Sequence, residues 1–483
     1  MPRKRPTKTT PNKARVPLGI ALLGAAGWAC AGGTESGPDP FSTVPKMHQG
    51  APGLLDPLGL SCATPGRSLT FPAAVELALC ENPQTRTAWA QAHEQAAALG
   101  QAESAWLPQI AATGAETRQT GQHADANGNI VTSTQNTTDA AINLTWTLYD
   151  FGSRTGKIDS ARSLLSAASA TASSVVQQTV RLVVQTYYGV VANDAAVVAA
   201  KSIEQISDHS LQIARALQAG GAGTLGDVLQ AQTAYEQFVL ARVQAEAADK
   251  TAQGTLAVSL GRPADQTFAL APDKVPTEVQ TLGARIADLM REAARQRPDL
   301  AAARFQRDAA EANIGVARAV GLPTIQVGVQ HHFTATTSVP NLNYNQFGVS
   351  INVPIFSGFS VTYGVRQAQA ALQVSEANLK QVELTVTQDV WNGYYNVESA
   401  NQQLVASADL LKTAEQNVQV SVGRYQAGVG SIVDVLTAQS ALASAQQVRI
   451  QAELGWFVAR SQLAFALGRL STAEPMSQSK PLP

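Results

Sequence analysis

The stretch "RYQAGVGSIVDVLTAQSAL" (Arg424–Leu442) has a near copy, "ALQAGGAGTLGDVLQAQTAY" (Ala216–Tyr235), 207 residues upstream. Each copy sets a glycine-rich break before Asp-Val-Leu-x-Ala-Gln. Tyr187-Tyr188 recurs as Tyr394-Tyr395 at the same offset, and Leu260-Gly261-Arg262 as Leu467-Gly468-Arg469. Nearer the N-terminus, Pro83 and Pro108 recur as Pro298 and Pro323 at an offset of 215. The chain is therefore a duplication. The change of offset places an eight-residue length difference between Pro108 and Tyr187, in loops that tolerate insertion.

The two halves, 69–283 and 284–470, share one order of elements. Two modest helices come first, and the second stops at a Leu-Pro (Leu107-Pro108, Leu322-Pro323), where the residue before proline leaves the helical region. Next come stretches of alternating character. In "AINLTWTLYDFG", Ile142, Leu144, Trp146 and Leu148 share one face, and Asn143, Thr145 and Thr147 share the other. In "FGVSINVPIF", Phe347, Val349, Ile351, Val353 and Ile355 alternate with polar residues in the same way. With their weaker first strands, from Ile110 and Ile325, these predict β-hairpins over about 109–151 and 324–357. Alternation alone fits either lipid-facing strands or a sheet half-buried on an ordinary core.

After each hairpin runs a proline-free segment of about 65 residues, Ser153–Gln218 and Val361–Gln426, roughly 100 Å long as a helix. A second helix follows each glycine break, from Leu225 to Leu260 and from Ile432 to Leu467, so two long antiparallel hairpins are predicted over about 153–260 and 361–468. Taken alone, the helices also fit a solvated rod for oligomerisation. Gly220, Gly221, Gly223, Gly428 and Gly430 serve the tight turns. Asp227 and Asp434 fall in the first turn of each returning helix, where a carboxylate is favoured.

The first 31 residues read as a signal peptide, with six basic residues, none acidic, then "VPLGIALLGAAGWA". Their removal takes the formal net charge from −1 to −7, which argues against a nucleic-acid partner. Cys30 fits a lipid-anchored cysteine, although Gly27-Trp28-Ala29 lacks the Leu usual in lipoprotein signals; both readings stand. Residues 32–68 form a Pro/Gly-rich extension, and 471–483 a disordered tail. No later apolar run reaches eighteen residues, so no helix of the mature chain is expected to span a bilayer. Export leaves Cys62 and Cys80 as the remaining thiols and predicts one disulfide, with two buried free thiols as the alternative.

No enzyme site, cofactor or metal is expected. His331 and His332 are strand neighbours pointing to opposite faces, and no nucleotide-binding loop is present. Energy for any transport must come from partners.

Four strands with one apolar face do not close a membrane barrel, whereas three chains supply twelve. Aromatics near the strand ends (Trp146, Tyr149, Phe151; Phe347, Phe356, Phe359) suit interfacial girdles. The duplicated order, with "LYDFGSR" (Leu148–Arg154), "VPIFSGFS" (Val353–Ser360) and the opening stretch, resembles the TolC family of outer-membrane efflux and secretion ducts over about Leu69–Arg469. The resemblance implies an α+β membrane protein of internally duplicated fold. Its barrel is trimeric and 12-stranded, with four strands per protomer, and continues into a long periplasmic coiled-coil barrel. It implies a homotrimer in outer-membrane lipid, a periplasmic adaptor protein, and an inner-membrane ABC or RND pump reached through that adaptor.

"CATPGRSLTFPAAVELALCENPQTRTAW" (Cys62–Trp89) is most similar to the branch serving type I protein secretion, where a cysteine pair frames the first helix. The alternatives are a drug or metal efflux duct and, further off, a periplasmic scaffold. By resemblance, Asp434 belongs to a ring at the periplasmic entrance and Tyr425 to the lock of the closed tip; Asp227, its repeat counterpart, is counted with them as a gate candidate, with helix N-terminal stabilisation as the alternative. Thr437 stands where some members have a second aspartate, and Gly430 where some have a locking arginine. The tips bearing Gly220, Gly223, Gly428 and Gly430 are expected to meet the adaptor.

Overall fold

The computed structural model describes residues 39–50, 68–124, 126–271, 285–337 and 340–470. The signal segment with Cys30, Cys62, and the tail from 471 lie outside the described residues. From Phe41 onward the chain forms one unit. Its elements in order are α1 (Thr43–Gly50), α2 (Phe71–Glu81), α3 (Pro83–Glu103), β1 (Gln109–Ala124), β2 (Ile130–Tyr149), α4 (Ser153–Ala219), α5 (Leu225–Ser259), α6 (Ile286–Gln296), α7 (Pro298–Ala319), β3 (Thr324–Thr336), β4 (Leu342–Asn352), α8 (Ser360–Gln426) and α9 (Ile432–Ala466).

Proline sets several of these boundaries. Pro83 and Pro298 open α3 and α7, where a missing N–H costs no helical hydrogen bond. Asn82 caps α3 by accepting from the Gln84 N–H at 2.8 Å. Pro354 ends β4 at Asn352, short of the predicted 357, because it lacks a donor and restricts Val353. Ile355 and Phe356 are consequently exposed beyond the strand. The N-terminal extension contains α1, which the Pro/Gly-rich reading did not foresee. It packs on α3 and α4 through buried Met47, and Lys46 pairs with Glu103 at 2.8 Å.

The four strands form one antiparallel sheet in the order β1-β2-β3-β4, so the two repeats meet at β2–β3. Paired residues share a face, and the register lines up Ile110, Leu144, Val329 and Phe347 across all four strands. Trp146, Val327 and Val349 form the next row of that apolar face. On the other face Asn143, Gln330 and Gln346 align, and Asp139 accepts from the Thr334 hydroxyl at 2.7 Å. His331 falls on the first face and His332 on the second.

The helices form a strip one layer deep. Near the sheet its order is α3–α4–α7–α8, and toward the turns it is α5–α4–α9–α8. Small residues, alanine above all, line these seams and let the backbones approach closely. The main core lies between the two levels, where α2 and α6 pack on the strip. Phe71, Leu77, Tyr187, Leu260, Leu300, Val390 and Leu463 are buried there, and Tyr188 stacks on Phe457 at 3.8 Å. The repeated Leu-Gly-Arg closes this region twice, with Arg262 paired to Glu81 and Arg469 to Glu292. Cys80, fully buried in α2, is disulfide-bonded. Among the described residues one helix, α4, is long and apolar enough by length and composition to cross a membrane, a test that ordinary core helices also pass.

Candidate functional site

The two turns at the far end of the helical hairpins are built alike. At the first, the N–H groups of Ala222 and Gly223 both donate to the Leu217 carbonyl, at 2.9 and 3.0 Å, and Gly221 adopts φ +78°. At the second, Val429 N–H donates to the Arg424 carbonyl at 3.0 Å, and Gly428 adopts φ +70°. Left-handed backbone is what glycine supplies without a steric penalty. Gly223 and Gly430 answer a different need. A Cβ at Gly430 would stand 3.0 Å from the Arg424 Cβ and the Tyr425 backbone nitrogen, and one at Gly223 3.1 Å from the Gln218 nitrogen. A side chain enters either position only if its neighbours give by a few tenths of an ångström.

Both aspartates close capping boxes. Thr224 Oγ1 accepts from the Asp227 N–H at 3.1 Å, and the Asp227 carboxylate accepts from the Thr224 N–H at 3.1 Å. In the second copy the Asp434 carboxylate accepts from the Ser431 N–H at 3.4 Å, and Ser431 Oγ from the Val433 N–H at 3.1 Å. Asp434 and Thr437, one turn apart on α9, are both exposed. Asp227 is half-buried.

Tyr425 lies inside the tip, packed with Leu211, Ala214, Val228, Ala231, Ile432 and Val435 from both hairpins. Its hydroxyl is buried with no hydrogen-bond partner among the described residues. Burial, and then the negative charge of Asp227, push its pKa above the usual phenol value. The structure thus brings Tyr425 and Asp227 together, one from each repeat, and leaves Asp434 and Thr437 exposed on α9.

The model of the family described as "Outer membrane efflux protein" matches residues 74–262 and 289–469, both repeats of the chain. The chain belongs to that family. Over 441 residues it is 32% identical to Protein CyaE of Bordetella pertussis, covering 89% of this chain and 90% of that one. To outer membrane protein TolC of Escherichia coli it is 24% identical over 429 residues, 83% of this chain and 82% of the other. Among solved structures, the outer-membrane channel OprN superposes with a TM-score of 0.74 at 22% identity, over 86% of this chain and 96% of that one. This outer membrane efflux protein therefore has the α+β, internally duplicated fold of the trimeric TolC-like channels. It is an outer-membrane channel protein with its helices in the periplasm.

Two features of the efflux-protein fold escaped sequence reasoning. At the first strand-to-helix junction, Arg154 is buried and donates to Asp150 (3.1 Å), Thr147 O (2.7 Å) and Leu148 O (3.0 Å), with the Trp106 ring 4.2 Å away. Deeper in the hairpins, Gln439 is fully buried and donates across to Ser210 Oγ at 2.7 Å. Both residues are long and polar, and no local pattern marks either as buried.

Proposed function

We propose that three copies of this chain join head to tail into a closed tube serving as the passive exit duct of a tripartite export system. The observation that carries this reading is a strip with two open edges. Among the described residues β1, α3 and α5 lack an outer neighbour on one side, and β4 and α8 lack one on the other. Apolar side chains stand exposed along both edges, Leu225, Leu240 and Val243 on α5 and Trp391, Tyr395 and Leu410 on α8. A head-to-tail contact whose rotation closes after three steps pairs every β1 with a β4 and leaves no edge. The apolar sheet face then meets lipid and the polar face encloses water.

In that assembly Asp434 and Thr437 form rings at the periplasmic mouth, where three like carboxylates attract cations. Tyr425 with Asp227 holds the two tips of one protomer together. The turns at Gly220, Gly223, Gly428 and Gly430 meet a periplasmic adaptor, which connects the duct to an inner-membrane ABC or RND pump. The disulfide at Cys80 pairs with Cys62 and frames α2.

For cargo we infer protein, by type I secretion. Support comes from the Cys62–Trp89 segment and from similarity to Protein CyaE along nearly the whole chain, whereas the efflux protein BepC of Brucella suis matches over 57% of it. Small-molecule efflux is the second reading, favoured by those 27% identical efflux relatives. Deletion of the gene separates them. Loss of an acidic repeat protein from the medium with unchanged drug susceptibility supports secretion, and the reverse result overturns it.

A further inference from the structure

The seam between α4 and α9 in the tip half is apolar above and below one position. Ile203, Ala438, Leu442 and Ala445 pack on one side of it, and Leu211, Ala214, Ile432 and Val435 on the other. At that position the Gln439 amide, 0% exposed, donates to Ser210 Oγ at 2.7 Å and points toward the Ile206 carbonyl at 3.4 Å. Its own Oε1 is buried with no hydrogen-bond partner among the described residues, and so is the hydroxyl of Ser207, 1% exposed and three residues from Ser210 on α4. Folding alone does not favour this arrangement, because an unpaired buried acceptor is costly and an aliphatic side chain would fill the space. At the corresponding place in the first repeat, Gln232 is exposed and the issue does not arise.

Small apolar side chains hold two helices together without fixing how far one has slid along the other, whereas a directional hydrogen bond fixes that register. Ser207 and Ser210 lie on one side of α4, about 4.5 Å apart along its axis. We propose that Gln439 is a two-position register latch between the hairpins: it holds α9 through Ser210 in the arrangement that buries Tyr425, and through Ser207 when α9 moves about one turn toward the sheet. In this role Gln439 is a positioning residue for tip opening, and the proposal rests on the duct reading only for its functional consequence.

Spin labels on the exposed residues His209 (α4) and Ser440 (α9) of the full-length protein in detergent test the register directly. The wild type is expected to give one interhelix distance within a protomer. Ser210→Ala should add a second population, and further replacement of Ser207 by alanine should abolish it. Gln439→Leu should broaden the distribution without lowering the melting temperature, and should raise the open fraction in planar bilayers about fivefold, the effect of one net hydrogen bond. A wild-type distribution in Ser210→Ala, or a lower melting temperature in Gln439→Leu with the distance unchanged, overturns the latch. The distances need no conducting channel, so a silent wild type would count against the duct and leave the latch to be judged on register.

Discussion

The two tips repeat one sentence in opposite surroundings. Both have the same glycine turn and the same capping box, set by residues within a few positions of each other. Beyond the turn they part. Ile432 is buried in α9 and its match Leu225 is exposed on α5; Leu436 is half-buried and its match Leu229 exposed, while Val435 and Val228 are buried in both. Gln439 is buried and Gln232 is not. The cause is position in the strip: α9 lies between α4 and α8, and α5 has α4 on one side only. A duplicated sequence fixes the local turn twice, and the number of neighbours decides what each copy buries.

The strand-to-helix junctions differ more sharply. Two consecutive residues take positive φ at each, Phe151-Gly152 in the first and Gly358-Phe359 in the second, with the order of aromatic and glycine exchanged. A non-glycine residue there costs about 1–3 kcal/mol and needs support from its surroundings. Arg154 gives that support in the first junction; its counterpart in the second is Val361. Arg154→Ala should therefore cost about 3–5 kcal/mol by stranding the buried Asp150 carboxylate, against roughly 1 kcal/mol for Val361→Ala. Thermal unfolding in detergent measures both, and equal losses would break the contrast.

Next in size is the tip core. Tyr425→Ala should cost about 3–5 kcal/mol, and Tyr425→Phe within about 1 kcal/mol, because the hydroxyl is buried without a partner. Gln218, its exposed counterpart, should tolerate alanine within about 0.5 kcal/mol. A large loss in Tyr425→Phe would show that the hydroxyl finds a partner across protomers.

The capping boxes sharpen the comparison of the tips. Asp227→Asn and Asp434→Asn should each destabilise by about 0.5–1 kcal/mol, since both lose the same charged cap. Only Asp434→Asn should relieve divalent-cation block of single-channel current, the carboxylate at 434 being the exposed one. Equal relief in both variants would place Asp227 at the mouth as well.

The smallest expected effect distinguishes a pair higher on the hairpins. In the second repeat Trp456 donates to Asn401 at 2.9 Å, and the matching residues of the first are Asp249 and Asp194. Burial, then the neighbouring Asp249 carboxylate, raise the Asp194 pKa above 3.8. The folded state thus holds this proton more tightly than the unfolded chain, so this contribution to stability is present below pH 3.8 and is lost as pH rises through the folded value. Asp194→Asn, which restores the neutral pattern of the second repeat, should raise the melting temperature at neutral pH and flatten its decline above pH 4. A parallel, merely shifted profile would exclude Asp194 as the source.

Much of the fold was legible because its signals are local and long. A proline-free run from Ser153 and glycine breaks followed by Asp-Val-Leu predict helices that the structure places at Ser153–Ala219 and Leu225–Ser259. Strand alternation likewise sorted Ile142, Leu144 and Trp146 onto one face. The end of β4 was misjudged because alternation continues through Val353 and Ile355, although Pro354 removes a ladder donor. Helix α1 was missed because its anchor, Met47, is a single apolar residue whose burial depends on α3 and α4.

The duplication is written in recurring residues, and the two hairpins of each kind, their turns and their caps follow from bonds between residues close along the chain. Tertiary structure alone decided that Tyr425 faces Asp227, that Arg154 supports a strained junction, and that Gln439 rather than Gln232 crosses to another helix. Those relations join residues of different elements, and identical repeats diverge in them because a helix inside the strip has two neighbours and one at its edge has one.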